Sequence, residues 1–217
     1  MGNIISFAEM YKRKGGICMG LERQRQKEIE VKVSELLRGK KLDGNQYVDI
    51  VACVKCDGFL VQSADLGSKV TGYLAVNDNE PVEKGYNRLI VVNEKFDNPD
   101  REDEVILKKS RFIIAHEYGH YILHKPEDQP IYARRDTIHT KELKEQEADY
   151  FARSILMPAK PFLKITEIME DLREETGMSD EKFRELSLHV LGTHFKVTRN
   201  KVRKRLGDIE LLKSIAN

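Results

Sequence analysis

Tryptophan is absent from the 217-residue sequence, and cysteine and proline are scarce, with three and six residues respectively. An odd number of cysteines does not make a disulfide framework. Long apolar runs are also missing: stretches such as residues 48–54 fall far short of the ~18 residues that a membrane-spanning helix needs. The charges of the 37 basic and 36 acidic residues nearly cancel. The net charge therefore does not indicate nucleic-acid binding, and only a local basic patch would do so.

Charged and apolar residues are both plentiful. Hydrophobic residues make up 40% and charged residues 34% of the chain, and the mean hydropathy is -0.52, which is typical of a globular protein in water. The length favours one domain with an appendage. We expect a flexible lead-in over residues 1–25, a main domain over 26–165 and a helical extension over 166–217. The amino-terminal apolar stretch is too short for a secretory signal, so we expect a cytoplasmic protein.

The first part of the chain combines helical and extended patterns. Apolar residues recur with helical spacing over residues 26–37 and 46–56. Three β-rich runs follow, separated by Gly, Asn, Asp and Pro: residues 59–61, 70–76 and 88–92. The polar stretch between the last two runs is typical of a hairpin loop. These runs predict a small antiparallel sheet of three strands.

The second half of the chain is mainly helical in pattern. Acidic residues follow Asp100 and suit a helix amino terminus, so we predict a helix from there to about His124. Thr140 can cap the next helix, which runs to about Met157. The remainder, from about Phe162, predicts two or three further helices. Together with the sheet, this pattern predicts an α+β fold.

The most informative segment is His116-Glu117-Tyr118-Gly119-His120, an H-E-x-x-H motif. On a helix, positions four apart lie on one face about 6 Å apart, so both imidazoles can reach one Zn²⁺ ion. Glu117 lies about 100° further round the helix, at the edge of the same cleft, where it can act as a general base. Gly119 leaves room for another backbone to pack closely. The motif therefore predicts a hydrolytic site with Zn²⁺ as its cofactor.

A catalytic zinc site of this type needs a third protein ligand. A straight helix rises about 12 Å from His116 to His124, so we expect His124 to support the site rather than to bind the ion. The next helix offers Glu145 and Asp149, which are four residues apart on one face. We predict that Glu145 is the ligand and that Asp149 accepts a hydrogen bond from a ligand histidine. Glu147, about 200° from Glu145, is the alternative ligand.

Two segments carry a resemblance to a known family. Residues 111–124 read RFIIAHEYGHYILH, and residues 145–158 read EQEADYFARSILMP, which combines E-x-x-A-D-x-F-A with L-M-P. Over about residues 45–206 the sequence resembles the ImmA/IrrE family of zinc-dependent metallopeptidases. The resemblance implies a gluzincin-like α+β domain with three zinc ligands and one general base: His116, His120, Glu145 and Glu117. It also implies a protein substrate, a DNA-binding repressor whose cleavage or inactivation releases genes.

The expected substrate is an extended polypeptide. An exposed strand, either residues 70–76 or residues 88–92, can fix its register through main-chain hydrogen bonds. Hydrolysis also needs a donor to the oxyanion. The candidates stay open among six polar residues: Tyr132, Arg134, Arg135, His139, His189 and His194.

A basic run near the carboxyl end favours a second hypothesis. Residues 183–209 have a helix, turn and helix pattern, and residues 196–205 contain six basic residues with no acid between them: Lys196, Arg199, Lys201, Arg203, Lys204 and Arg205. The protein would then be a DNA- or repressor-binding regulator with a structural or sensory zinc ion. We favour a packing helix with Val197, Val202 and Leu206 facing inward. An intact Glu117 argues against the regulator with a structural or sensory zinc ion, because a structural zinc site needs no general base.

Cys53 and Cys56 form a lone C-x-x-C pair. No second pair completes a zinc ribbon, so we interpret them as small side chains packed near a helix end. The alternative is redox control through this pair, which would make activity depend on thiol reagents.

Overall fold

The computed structural model describes most of the chain: residues 21–42, 47–77, 87–96, 104–124 and 138–216. Only the backbone is described for a few of these: residues 104–106, 138–141 and 216. Several predictions concern residues outside the described ranges: most of the lead-in, residues 78–86 of the predicted hairpin loop, and the helix start predicted at Asp100.

Eight α-helices and three strands form within the described residues. The helices are α1 (Arg23–Gly39), α2 (Ile50–Cys56), α3 (Glu104–His124), α4 (Ile138–Leu156), α5 (Ala159–Thr176), α6 (Asp180–His194), α7 (Arg199–Leu206) and α8 (Ile209–Ala216). The strands are β1 (Leu60–Ala64), β2 (Gly72–Val76) and β3 (Arg88–Asn93), and a 3-10 turn follows at Glu94–Phe96. These elements confirm the predicted α+β fold.

Asp49 determines where α2 begins. Its side chain accepts hydrogen bonds from the backbone amides of Val51 and Ala52, both at 3.1 Å. A carboxylate at this position satisfies amides that have no partner inside the helix. The helix therefore starts at Ile50, later than the predicted residue 46.

Two predictions about the second half of the chain are wrong. Thr140 does not cap α4, because the helix already begins at Ile138 and an N-cap residue has a non-helical backbone. The chain after α4 forms four helices, α5–α8, rather than two or three. Short breaks separate them: Gly177 ends α5 with a φ of 62°, and Lys196 lies between α6 and α7 with a φ of 51°. Apolar periodicity alone does not locate such short breaks.

The sheet is mixed rather than wholly antiparallel. Its strand order is β1-β3-β2, and β2 pairs with β3 as the predicted hairpin, closed by a 2.8 Å hydrogen bond from the Asn77 amide to the Asn87 carbonyl. β1, however, pairs with β3 in parallel, so the antiparallel prediction is wrong for this strand. β3 is buried without interruption from Ile90 to Asn93, as a central strand covered on both faces requires. The partly exposed strands β1 and β2 take the edges.

One hydrophobic core joins the described elements. α3 packs against β2, β3 and α4, and α4 also packs against α1 and α7. Buried apolar residues form one cluster that extends from Ile29 in α1 to Leu212 in α8. The predicted boundary between residues 165 and 166 falls inside α5, and α1 begins within the predicted lead-in, but the three-part division itself stays a prediction. None of the described helices is long and apolar enough to cross a bilayer.

A buried ion pair connects α1 with α7. The side chain of Arg205 is fully buried and donates to Glu30, with Nη2 3.1 Å from Oε2, and to the Met157 carbonyl at 3.1 Å. The hydroxyl of Ser154 in α4 donates to the same glutamate at 2.8 Å. Every charged group in this cluster therefore has a hydrogen-bonded partner, which is the condition for burying charge.

Arg205→Met should destabilise the protein by about 3–5 kcal/mol, because it leaves the Glu30 carboxylate buried without its cation. Urea unfolding followed by circular dichroism measures the change. A double variant that also carries Glu30→Met should recover most of the loss, since no unpaired charge then stays buried. A single Arg205→Met variant as stable as the wild type would contradict this account.

Candidate metal centre

The two histidines of the H-E-x-x-H motif lie on one face of α3. His116 Nε2 and His120 Nε2 are 3.1 Å apart, and each side chain is 17% exposed. The 21-residue helix is held by the sheet and by α4, so the spacing of the two rings is fixed by packing. One ion can contact both nitrogens.

α4 brings Glu145 to the same point. Its carboxylate oxygens lie 3.1 Å from His116 Nε2 and 3.4 Å from His120 Nε2. The two helices approach closely at Gly119, which has no side chain. A Cβ atom added there would lie 3.3 Å from the backbone of Ala148, so a larger residue would crowd α4. The close packing predicted at Gly119 is confirmed.

These three side chains fit a tetrahedral divalent ion. Ligand atoms about 2.0–2.1 Å from such an ion lie roughly 3.3 Å from one another. The contacts among the two imidazoles and the carboxylate are 3.1, 3.1 and 3.4 Å. Within the described residues, no other His, Cys, Asp or Glu joins this group. Two imidazoles and one carboxylate are a donor set of catalytic zinc sites, in which the fourth position binds water or substrate.

Carboxylates determine the ionisation of the cluster. Burial disfavours the charged imidazole of His116, but contacts with Asp149 and Glu145 outweigh burial and raise its pKa to about 9. Hydrogen bonds with the two histidines hold the pKa of Glu145 below its ordinary value. The cluster therefore keeps the Glu145 carboxylate ionised, as binding of a cation would require.

Asp149 lies where a support for a ligand histidine is predicted. Its Oδ1 is 3.3 Å from His116 Nδ1, and although burial opposes ionisation, this contact lowers the pKa of Asp149 to about 2. The other carboxylate oxygen faces Lys201 Nζ at 3.5 Å and Lys204 Nζ at 3.9 Å. A carboxylate on Nδ1 fixes the tautomer in which Nε2 offers its lone pair to a metal.

Glu117 lies on the flank of α3 that faces β2. Its Oε1 would be 3.1 Å from a Cβ atom added to Gly72. Burial raises the pKa of Glu117 above its ordinary value, and the nearby His116 and His120 offset this only in part. A carboxyl group with a raised pKa can accept and return a proton near neutral pH, which the predicted general-base role requires.

β2 is the edge strand beside Glu117. In the described part of the sheet, only one edge of β2 is paired, and that edge pairs with β3. Residues 88–92, one of the two predicted docking strands, form β3, which is paired on both edges, so this alternative is wrong. β2 is the strand that an extended peptide can join next to the cluster.

Gly72→Ala should destabilise the protein by about 1–3 kcal/mol and lower the rate of the hydrolysis that the motif predicts about tenfold. The added Cβ would lie 2.4 Å from Ile113 Cγ2, so β2 must move away from α3 and from Glu117. Measurements of kcat/KM and of the melting temperature test both effects. Gly39→Ala is the matched control, because a Cβ there meets nothing within 4 Å. Full activity in Gly72→Ala would contradict the close approach of β2.

Glu147, the alternative ligand, lies in a different set of contacts. Its carboxylate accepts hydrogen bonds from Arg25 Nε at 2.9 Å and Nη2 at 2.8 Å, and lies 2.8 Å from His124 Nε2. His124 in turn contacts His120, with their Nδ1 atoms 3.1 Å apart. The structure thus groups Glu147 with Arg25 and His124, and it groups Glu145 with the motif histidines. Sequence reasoning missed Arg25, which is 122 residues from Glu147 and falls in the predicted lead-in.

The oxyanion candidates are only partly described. Tyr132, Arg134 and Arg135 lie outside the described residues, as does the side chain of His139. His189 is exposed on α6, and His194 packs its ring edge-on against Phe195.

Several basic residues of α7 pair with acidic residues of the same chain. Besides Arg205 with Glu30, the pairs are Arg199 with Glu185, Lys201 with Asp149 and Lys204 with Asp149. Val202 and Leu206 are buried, as predicted for inward-facing residues. These contacts favour the packing helix over the helix that binds DNA.

Cys53 and Cys56 are free thiols. Cys53 is buried, and burial raises its pKa to about 11, so the reactive thiolate is disfavoured. Cys56 is exposed at the end of α2. This environment favours the packing role of Cys53 over redox control.

Two imidazoles and a carboxylate that could hold a metal ion, a partly buried proton acceptor beside them and a strand edge that is unpaired within the described residues are suited to hydrolysing polypeptides. The fold and the site together define a metallopeptidase of the H-E-x-x-H type. The chain belongs to the Peptidase M78 family, described as the IrrE N-terminal-like domain, whose model matches residues 55–207. This match includes both motif segments and confirms the resemblance. No curated protein is significantly similar to the chain.

Proposed function

We propose that the protein is a zinc-dependent endopeptidase in which His116, His120 and Glu145 hold the ion and Glu117 is the general base. One observation carries the proposal: α3 and α4 place two imidazole nitrogens and a carboxylate 3.1–3.4 Å apart, beside the partly buried carboxyl group of Glu117. Bound at this point, Zn²⁺ supplies Lewis acidity, which polarises the scissile carbonyl and makes water more acidic.

The side chains of this protein divide the remaining work. Glu117 accepts a proton from the attacking water and returns it to the leaving amine, and its raised pKa suits both transfers. Asp149 orients the ring of His116 through Nδ1. The free edge of β2 binds the main chain of the substrate and aligns the scissile bond with the cluster.

The proposed substrate is a cytoplasmic DNA-binding repressor. Family membership and the resemblance of both motif segments support this substrate class. The open edge of β2 supports an extended segment, such as an interdomain linker, as the cleaved region, because a folded segment has no free main-chain groups to pair with it. Direct binding of nucleic acid through residues 196–205 is not part of the proposal.

The proposal is tested by incubating the zinc-loaded protein with DNA-binding repressors of the same organism and identifying new amino termini by mass spectrometry. We expect new termini within exposed linkers, none after the metal is chelated, and their return when Zn²⁺ is added. Cleavage that persists without metal would contradict the metal dependence. Cleavage of other proteins but never of a repressor would contradict the substrate class alone.

A further inference from the structure

Among the described residues, no carboxylate contacts the Nδ1 atom of His120, the nitrogen that faces away from the cluster. Instead, Nδ1 faces the Nδ1 atom of His124 at 3.1 Å. His124 Nε2 lies 2.8 Å from Glu147 Oε2, and Glu147 accepts two hydrogen bonds from Arg25 at 2.8 and 2.9 Å. Four side chains therefore connect the metal-facing imidazole on α3 to the start of α1.

The donor and acceptor in each of these hydrogen bonds are determined if His120 binds a metal through Nε2. This inference therefore rests on the proposed function. A neutral imidazole has one donor nitrogen and one acceptor nitrogen. With the lone pair of Nε2 on the metal, the proton of His120 is on Nδ1 and is donated to His124 Nδ1. His124 then carries its own proton on Nε2 and donates it to Glu147.

Burial and a bidentate contact with Arg25 fix the position of His124 and Glu147. The side chains of His124 and Glu147 are 8% and 9% exposed, so the carboxylate has little water to solvate it. Arg25 binds both carboxylate oxygens with its planar guanidinium, which compensates the charge and also fixes the plane of the carboxylate. Glu28 also contacts Arg25, at 3.0 Å, but these two side chains are 36% and 48% exposed, so water screens the pair and it adds little to the placement of Arg25.

We infer that Arg25, Glu147 and His124 are positioning residues that orient the imidazole of His120, and that α1 is thereby part of the metal centre. His116 has a direct carboxylate partner, whereas His120 has an imidazole and then a carboxylate, with the same result of a fixed tautomer and a more basic Nε2. The family match begins at residue 55, so it contains neither α1 nor Arg25.

The test measures Zn²⁺ affinity of the full chain by competition with a chromogenic chelator, and the visible absorption of the Co²⁺-substituted protein. Arg25→Met should weaken Zn²⁺ binding about tenfold, and His124→Leu about 10- to 100-fold, which is the usual effect of removing partners of metal ligands. The Co²⁺ bands should shift in both variants, because the orientation of one ligand changes. Glu28→Gln is the matched control: it removes the other carboxylate on Arg25 and should leave affinity and spectrum unchanged.

A double variant separates positioning from general stability. Arg25 acts on the metal through His124, so Arg25→Met should cause no further loss of affinity when His124→Leu is already present. Additive losses would overturn the inference, as would wild-type affinity and an unchanged Co²⁺ spectrum in Arg25→Met. Should Arg25→Met fail to fold, Arg25→Lys keeps the charge without the bidentate contact, and a measurable loss of affinity is again required.

Failure of the proposed function gives a different result. In that case the wild type binds no Zn²⁺, or His116→Ala binds it as tightly as the wild type. Binding that is lost in His116→Ala but unaffected by Arg25→Met would overturn the positioning role and leave the proposed function intact.

Discussion

Glu117→Gln should retain zinc and reduce peptide hydrolysis by about 10²–10⁴-fold. Glutamine has nearly the same shape as glutamate, so the packing of α3 and the three ligands stay as they are. The amide cannot accept a proton from water at neutral pH, so the general base alone is lost. Metal content and kcat/KM should be measured on the same preparation, because the prediction concerns both quantities together.

Glu35→Gln provides the control for Glu117→Gln. Glu35 is an exposed glutamate of α1, so its replacement changes the net charge equally and should leave the rate unchanged. Cleavage by zinc-loaded Glu117→Gln at the wild-type rate would contradict the general-base role. Loss of zinc from Glu117→Gln would show instead that Glu117 is needed to hold the metal.

Glu145→Ala should weaken zinc binding by more than about 100-fold. Removing a residue that only hydrogen-bonds to a ligand already lowers metal affinity about 10- to 100-fold, and Glu145 is itself the proposed ligand. Glu145 contacts both motif histidines, whereas Glu147 acts only through His124. Glu147→Gln should therefore weaken binding far less, by about tenfold. Both variants are measured in the chelator competition used for Arg25.

The comparison of the two glutamates is decisive because either one can be the ligand on sequence grounds. Full zinc binding in Glu145→Ala together with its loss in Glu147→Gln would reverse the ligand assignment. Equal losses in both variants would also contradict it, since the structure gives only Glu145 a place in the cluster.

The parts of the site that sequence predicts are those fixed by one turn of helix. His116 and His120 are four residues apart, as are Glu145 and Asp149, and helical geometry alone puts each pair on one face. Gly119 predicts the close approach of another backbone, and the backbone of Ala148 in α4 makes that approach. Local patterns of this kind survive folding because the packed helices α3 and α4 are long and regular.

The parts that sequence does not predict depend on contacts between distant segments. Local patterns predict each strand. The central position of β3 depends on how the chain connects the strands, and no local pattern predicts that connection. Arg25 lies in a segment interpreted as a lead-in, and only the packing of α1 against α4 brings it to Glu147. The sequence places Lys201 in a run of basic residues, whereas in the structure its amine faces Asp149.

X-ray absorption at the zinc edge of the purified, zinc-loaded protein tests most directly whether α3 and α4 hold one ion together. We predict one ion per chain with two imidazole nitrogens at about 2.0–2.1 Å, one carboxylate oxygen at about 2.0–2.2 Å and a fourth light atom from water. The Glu145→Ala spectrum should lose the carboxylate oxygen. Sulfur in the coordination shell, or a wild-type spectrum with fewer than two imidazoles, would contradict the account.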